Sequence, residues 1–157
     1  MKITEGSRAP GFSLPDQNGK IWKLSDFKGS WLLLYFYPKD DTQVCTLEAQ
    51  VMRDNMKAFE KLQAQVVGIS ADSTESHKKF AKKHKLNFLL LADTTRKVIR
   101  AYNVEGEKSM FGHKFIGIKR MSYLIDPSGK VVTIYESVKA RKHADQVLSE
   151  IKQKTAA

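Results

Sequence analysis

The stretch YFYPKDDTQVCTLEAQVMRD, residues 35–54, contains Pro38, Thr42 and Cys45, the only cysteine in the chain. A thiol does nucleophilic chemistry as its thiolate. A free cysteine of pKa near 8.5 is only about 3% ionised at pH 7, against roughly 90% if that value falls to about 6. Cys45 follows the apolar run WLLLYFY (31–37) and opens a stretch of helical spacing. It therefore falls in a first helical turn, where unpaired backbone N–H groups and the helix dipole favour an anion. Pro38 is placed to fix the turn before the helix, and Thr42, three residues ahead of the thiol, brings a hydroxyl to the same end. The alternative is a small buried hydrophobe, the usual state of a free cysteine. The polar flanks Asp40, Asp41, Thr42, Gln43 and Thr46 weigh against it. Two neighbouring carboxylates would oppose a thiolate, so a reactive Cys45 requires a cation from elsewhere in the chain.

The elements around this segment alternate. Residues 12–24, FSLPDQNGKIWKL, predict two short strands about Asn18-Gly19, a strong hairpin signal. WLLLYFY reads as a strand buried on both faces. From Thr42 to Leu62 one long helix is predicted, because Leu47, Val51, Met52, Met56, Phe59 and Leu62 recur mostly at three- and four-residue steps. A strand follows at QVVGIS (65–70), then a helix capped by Ser73 or Thr74 that runs to about Lys85. LNFLLLA (86–92) predicts another strand, and Thr94 or Thr95 a cap for a short helix ending near Tyr102. Residues 103–119 have three glycines and no clear period, which predicts a long loop; its Met110, Phe111, Phe115 and Ile116 either line an approach to Cys45 or pack the loop. MSYLID, the turn DPSG and KVVTIYES predict a hairpin, and RKHADQVLSEIKQ a closing amphipathic helix. The pattern is that of an α/β three-layer sandwich with a mixed sheet, one domain over residues 1–157.

The net charge of +10 is scattered, and its densest part, Lys78, Lys79, Lys82, Lys83 and Lys85, surrounds Phe80 and Ala81 as the polar face of a helix. No zinc-finger spacing, RNA-recognition aromatic motif or basic tail occurs, so neither specific nucleic acid nor a membrane is expected as a partner. No apolar stretch is of bilayer length, and the start of the chain lacks the pattern of a secretory signal, which points to a cytoplasmic protein. His77, His84, His113 and His143 lack metal-site spacing and read as exposed or helix-face residues, with His113 a candidate for the rim of a pocket at Cys45. No Gly-rich phosphate loop is present.

PKDDTQVC (38–45) fits Pro-x-x-x-Thr-x-x-Cys and resembles the active-site signature of the peroxiredoxins. YFYPKDDT followed by CTLEA is similar to their bacterioferritin comigratory protein branch, also called peroxiredoxin Q, and so are APGFSLPDQNGKIWKLSDFKG, VVGISADSTESHKKFAKKHKLNFLLLAD and KRMSYLIDPSGKV, in the expected order. The resemblance implies a thioredoxin-like fold with an N-terminal β-hairpin and a thiol-dependent peroxidase without cofactor or metal. It makes Cys45 the peroxidatic nucleophile, with Thr42 orienting the peroxide, Pro38 shielding the pocket and Arg120 as the missing cation. Glu48 and Arg53 match supporting positions, although each also reads as an ordinary exposed helix residue. Two positions depart from the branch: Gln43-Val44 replaces Pro-Gly, and Gln50 stands where many relatives carry a resolving cysteine. The resemblance therefore implies a one-cysteine variant, with a hydroperoxide as substrate and an external thiol, thioredoxin or glutaredoxin with glutathione, as reductant. A monomer is expected, with a Cys45-linked dimer as an oxidised alternative. The competing reading is a peroxide sensor or redox-regulated binding protein with little turnover.

Overall fold

A computed structural model describes residues 2–156. WLLLYF, uninterrupted by any polar residue, forms the central strand β3 (Trp31–Phe36). Its side chains alternate between two cores. Leu32, Leu34 and Phe36 join Phe12, Phe27, Ile99 and Tyr102 on one face of the sheet. Leu33, Tyr35 and Tyr37 join Cys45, Met52, Phe59 and Ile151 on the other. A strand with a core on each side needs apolar residues at every position, which is why the run is continuous.

In chain order, β1 (Ser13–Pro15) and β2 (Ile21–Lys23) form the N-terminal hairpin before β3, and α1 (Gln43–Asp54) and α2 (Met56–Lys61) lead to β4 (Ala64–Ser70). Then come α3 (Thr74–Lys83), β5 (Leu89–Ala92), α4 (Lys97–Ala101), β6 (Glu105–Met110), β7 (His113–Ile118), β8 (Met121–Ile125), β9 (Val131–Tyr135) and α5 (His143–Thr155). The main sheet has the order β5-β4-β3-β8-β9. β3, β4 and β5 run parallel, while β8 and β9 are antiparallel additions. Residues of α1, α2, α3 and α5 share the core that contains Cys45, and α4 and the N-terminal hairpin contribute to the other. This is the mixed-sheet, three-layer architecture that the alternation predicts.

Local chemistry moves several predicted boundaries. The helix predicted from Thr42 to Leu62 breaks at Asn55 (φ −105°, ψ 4°), whose side-chain amide donates to the Val51 carbonyl at 2.8 Å and competes with the backbone ladder. Neither Thr94 nor Thr95 caps α4. Asp93 accepts the Ile99 N–H at 2.7 Å, and the N-cap is Arg96 in a left-handed conformation. Ser73 does cap α3, accepting from the Ser76 N–H. The predicted loop 103–119 contains the hairpin β6–β7, closed by Phe111 and Gly112. Neither face of its outer half is buried, so no apolar alternation marks it. Two of the histidines expected to be exposed or merely on a helix face are buried: His77 and His143 are both 0% exposed. His143 pairs through Nε2 with Ser122 Oγ at 2.8 Å, and burial pushes its pKa down to about 4.

Candidate active site

β3 delivers the chain to the carboxyl end of the sheet, where Pro38 to Asp41 turn it into α1. Asp41 is left-handed (φ 59°) and Thr42 is extended (φ −92°, ψ 160°), so the helix starts abruptly after Thr42. The Thr42 carbonyl accepts the first helical N–H, from Thr46, at 2.8 Å. Its hydroxyl does not cap the helix but donates to the Lys39 carbonyl at 2.8 Å. With no side-chain cap and no acidic residue in its first turn, α1 presents its leading N–H groups and positive dipole end to whatever lies there. Cys45 is the third helical residue, 2% exposed. Pro38 is half-buried and Thr42 exposed.

The required cation comes from the far side of the chain. Arg120 immediately precedes β8, and the antiparallel register Met121↔Phe36 sets it beside the end of β3. Its Nη2 donates to Cys45 Sγ at 3.3 Å and its Nη1 to Glu48 Oε1 at 2.7 Å. Glu48 lies three residues after Cys45 on the same helix face, fully buried. One planar guanidinium thus spans thiol and carboxylate, a geometry an ammonium cannot copy. Burial works against the Arg120 charge, but Glu48 and Cys45 outweigh it and hold the guanidinium above its ordinary pKa. Burial pushes the Glu48 carboxyl up to about 7 against the pull of Arg120. Glu48 Oε2 and the Tyr35 hydroxyl are both buried without a hydrogen-bond partner among the described residues. Burial, then the charge of Glu48, raises the Tyr35 phenol well above its usual range.

Arg53 stands apart from this group. Its Nη1 donates to the His84 carbonyl at 2.7 Å and its Nε to Asp54 at 2.9 Å. Eight residues beyond Cys45, it lies about 12 Å further along the helix axis, which explains the separation. His113 is exposed on β7, in register with Met110. Lys108 of β6 does reach the electrostatic neighbourhood of the thiol: burial and Arg120 lower its pKa, and Cys45 acts in the opposite sense.

The two acidic residues that threaten a thiolate are each neutralised by α3. Asp41 bonds Lys83 Nζ at 2.9 Å and His84 Nε2 at 3.1 Å, and those hydrogen bonds, Lys83 first, hold its carboxyl below the ordinary range. Asp40 meets His77 Nδ1 at 2.6 Å and accepts from the Tyr37 hydroxyl at 2.6 Å and Ser76 Oγ at 2.8 Å. His77 Nε2 lies 3.0 Å from the Leu91 carbonyl, which can only accept, so Nε2 carries a hydrogen. A second proton must then lie between Nδ1 and the Asp40 carboxylate. Asp40 is tied further by its N–H to Asp72 Oδ2 at 2.8 Å. Asp40, Asp72 and His77 lie close enough together to suggest a metal, but these internal bonds already occupy them. Sequence reading missed this anchor of the loop. Its only signal was His77, Phe80, Ala81 and His84 at helical spacing, a stripe in which histidines take apolar positions.

Residues 6–134 match the AhpC/TSA family. The chain belongs to that family. It is similar over nearly its whole length to Peroxiredoxin Bcp of Bacillus subtilis, 42% identical over 152 residues and covering 97% of each chain. Peroxiredoxin Bcp of Escherichia coli K12 is 45% identical over 151 residues, 96% of this chain and 97% of the relative. Among solved structures, Xanthomonas campestris peroxiredoxin Q superposes with a TM-score of 0.86 at 37% identity over 90% of both chains. A PrxQ mutant of Xylella fastidiosa reaches 0.93 at 32% identity over 99% of both. Another Xanthomonas campestris structure, of the bacterioferritin comigratory protein, concerns alkyl peroxide reduction and matches at 0.86 and 36% identity over 91% of both chains. This peroxiredoxin therefore has the thioredoxin-like fold and is a thiol-dependent peroxidase. Peroxide as substrate and a thiol as reductant follow from that membership.

Proposed function

We propose that Cys45 is the peroxidatic nucleophile, that Arg120 and Thr42 are its catalytic partners, and that Glu48 positions Arg120. The observation that carries this reading is the guanidinium that donates at once to Cys45 Sγ and Glu48. The thiolate attacks the terminal oxygen of a hydroperoxide in line with the O–O bond. That bond breaks, the sulfur becomes a sulfenic acid, and the departing oxygen leaves as water or alcohol after taking a proton. Charge moves from sulfur to that oxygen, so donors fixed around both atoms stabilise the transition state. Arg120 Nη2 is one, the uncapped N–H groups of α1 are others, and rotation of the Thr42 hydroxyl from Lys39 supplies a third. Pro38 walls the turn, and Arg53 braces α1 against the end of α3 through the His84 carbonyl.

The substrates are hydrogen peroxide and organic hydroperoxides, in line with the alkyl peroxide activity of the Xanthomonas campestris relative. With Gln50 at the resolving position and no second cysteine, an external thiol attacks the sulfenic acid with loss of water, and a second thiol resolves the mixed disulfide. Thioredoxin or glutaredoxin with glutathione fills that role. We read the protein as a one-domain monomer of a reducing, cytoplasmic compartment, where a lone thiol stays reduced. Among the described residues no helix is long and apolar enough to cross a membrane.

The test is competition with horseradish peroxidase for hydrogen peroxide, comparing the parent with Cys45→Ser, followed by turnover with either reductant. The expected rate exceeds that of free cysteine by about 100-fold or more and is lost in Cys45→Ser. A parent rate no better than free cysteine would overturn the assignment.

A further inference from the structure

Among the described residues six large apolar side chains are prominently exposed; Met110, Phe111, Phe115 and Ile116 lie on the β6–β7 hairpin, and a fifth, Val44, immediately precedes Cys45. Phe111, at the tip, is 94% exposed. It is also left-handed, φ 51°, beside Gly112 at φ 80°. Positive φ at both central residues is the geometry that Asn-Gly forms readily and that a bulky side chain resists. The chain accepts that resistance and holds an aromatic ring in water. A local rule broken with no packing in return points to a binding surface.

Register sorts the hairpin into two unlike faces. Lys108 pairs with Phe115 and Met110 with His113, and these share a face with Gly106 and Gly117. A Cβ at Gly117 would fall 2.6 Å from Lys108 Cδ, and one at Gly106 2.4 Å from Lys119 Cε, so both lysine stems lie flat along this face. Their methylenes extend the apolar surface. The face carries no carboxylate. Glu107 is on the opposite face with Ile116 and bonds Lys114, and Glu105 is held by Arg96 and Arg100.

We propose that this hairpin docks on an anionic lipid bilayer, with Phe111 and Met110 entering the headgroup layer and Lys108 and Lys119 meeting lipid phosphates. A protruding ring flanked by cations suits a fluid anionic surface that closes around it. A second copy of a chain of net charge +10 is repelled instead. The inference revises the expectation of no membrane partner, which looked for an apolar span or a basic tail. Because Lys108 lies within the electrostatic reach of Cys45, docking presents the thiol to hydroperoxides carried on lipid chains. That purpose rests on the peroxidase reading, whereas the docking itself does not.

The experiment is cosedimentation of the full chain as Cys45→Ser with vesicles of phosphatidylcholine alone or in equal parts with phosphatidylglycerol, at low and high salt. Binding is expected only to the anionic vesicles and weakens with salt. Phe111→Asn, which suits the turn and keeps the melting temperature at or above that of the parent, lowers affinity about tenfold or more. Lys119→Gln lowers it about fivefold. Absence of binding to anionic vesicles at low salt, or equal binding by Phe111→Asn, would overturn the proposal. So would a concentration-dependent dimer that Phe111→Asn abolishes without any vesicle binding, since the surface would then serve self-association. Phe111→Asn in the Cys45 background leaves the rate with hydrogen peroxide unchanged, so a failed peroxidase reading shows in that rate and a failed docking proposal in the vesicles.

Discussion

Replacing Arg120 by Met removes the one cation within hydrogen-bonding distance of Cys45 Sγ among the described residues. A unit charge at 3.3 Å interacts with a thiolate by about 5 kcal/mol at an effective dielectric near 20. The Arg120 side chain is 19% exposed, so solvent screens part of this. Only the share that follows charge onto the departing oxygen lowers the barrier, and removal of one such donor typically costs about 2.7–4 kcal/mol. The expected loss is therefore about 100- to 1000-fold in the second-order rate with hydrogen peroxide, measured by competition with horseradish peroxidase. Arg120→Lys keeps the charge but cannot span Cys45 and Glu48, and loses about 10- to 100-fold through one charged hydrogen bond. Both variants leave Glu48 buried without its fork, so the double variant Arg120→Met/Glu48→Gln separates fold from chemistry. It should regain stability, read by urea unfolding of reduced protein, without regaining rate. A rate within about threefold of the parent in Arg120→Met, or its recovery in the double variant, would refute the assignment of Arg120.

Folding raises the Glu48 carboxyl from 4.5 to about 7, so in that window the fold keeps a proton that the unfolded chain has released. Its contribution to stability is fully present below 4.5 and declines as pH rises through 7, by about 3 kcal/mol in all. The lowered carboxyls Asp41, Glu105 and Asp126 act in the opposite direction on acidification, so the measurement is the difference between parent and Glu48→Gln in urea midpoints from pH 4 to 8. A difference that does not vary with pH sinks this account. His77→Phe leaves Asp40 buried without its proton-sharing partner and is expected to cost about 3–5 kcal/mol by denaturant unfolding, with a slower reaction as the loop before Thr42 loosens. A loss below about 1 kcal/mol would overturn the reading of the Asp40–His77 pair as an anchor of the loop.

Much of this molecule is written in local order along the chain. The uninterrupted WLLLYF announced a doubly buried central strand, because only two cores explain so many apolar residues in a row. The turn of Pro38 to Asp41 and the spacing of Thr42 and Cys45 placed a thiol at a helix start, a matter of neighbours only. Asp40 and Asp41 called for compensation from elsewhere in the chain, and α3 supplies it through Lys83, His84 and His77. The family resemblance named Arg120, but nothing near Cys45 in the chain marks it: it lies 75 residues away, and antiparallel pairing of β8 with β3 brings it to the sulfur.

What tertiary structure alone decided has a common cause. Arg53 and Glu48 sit five residues apart on one helix, yet only Glu48 faces Arg120, because packing fixes which side of α1 looks inward. The histidines His77 and His143 read as helix-face polar residues until long-range hydrogen-bond partners, Leu91 and Ser122, account for their burial. The hairpin 105–118 left no alternating pattern because no core lies behind its outer half. Sequence periodicity records which residues are hidden from water, whereas the identity of the group that hides or neutralises each one depends on strands and helices brought together from far along the chain.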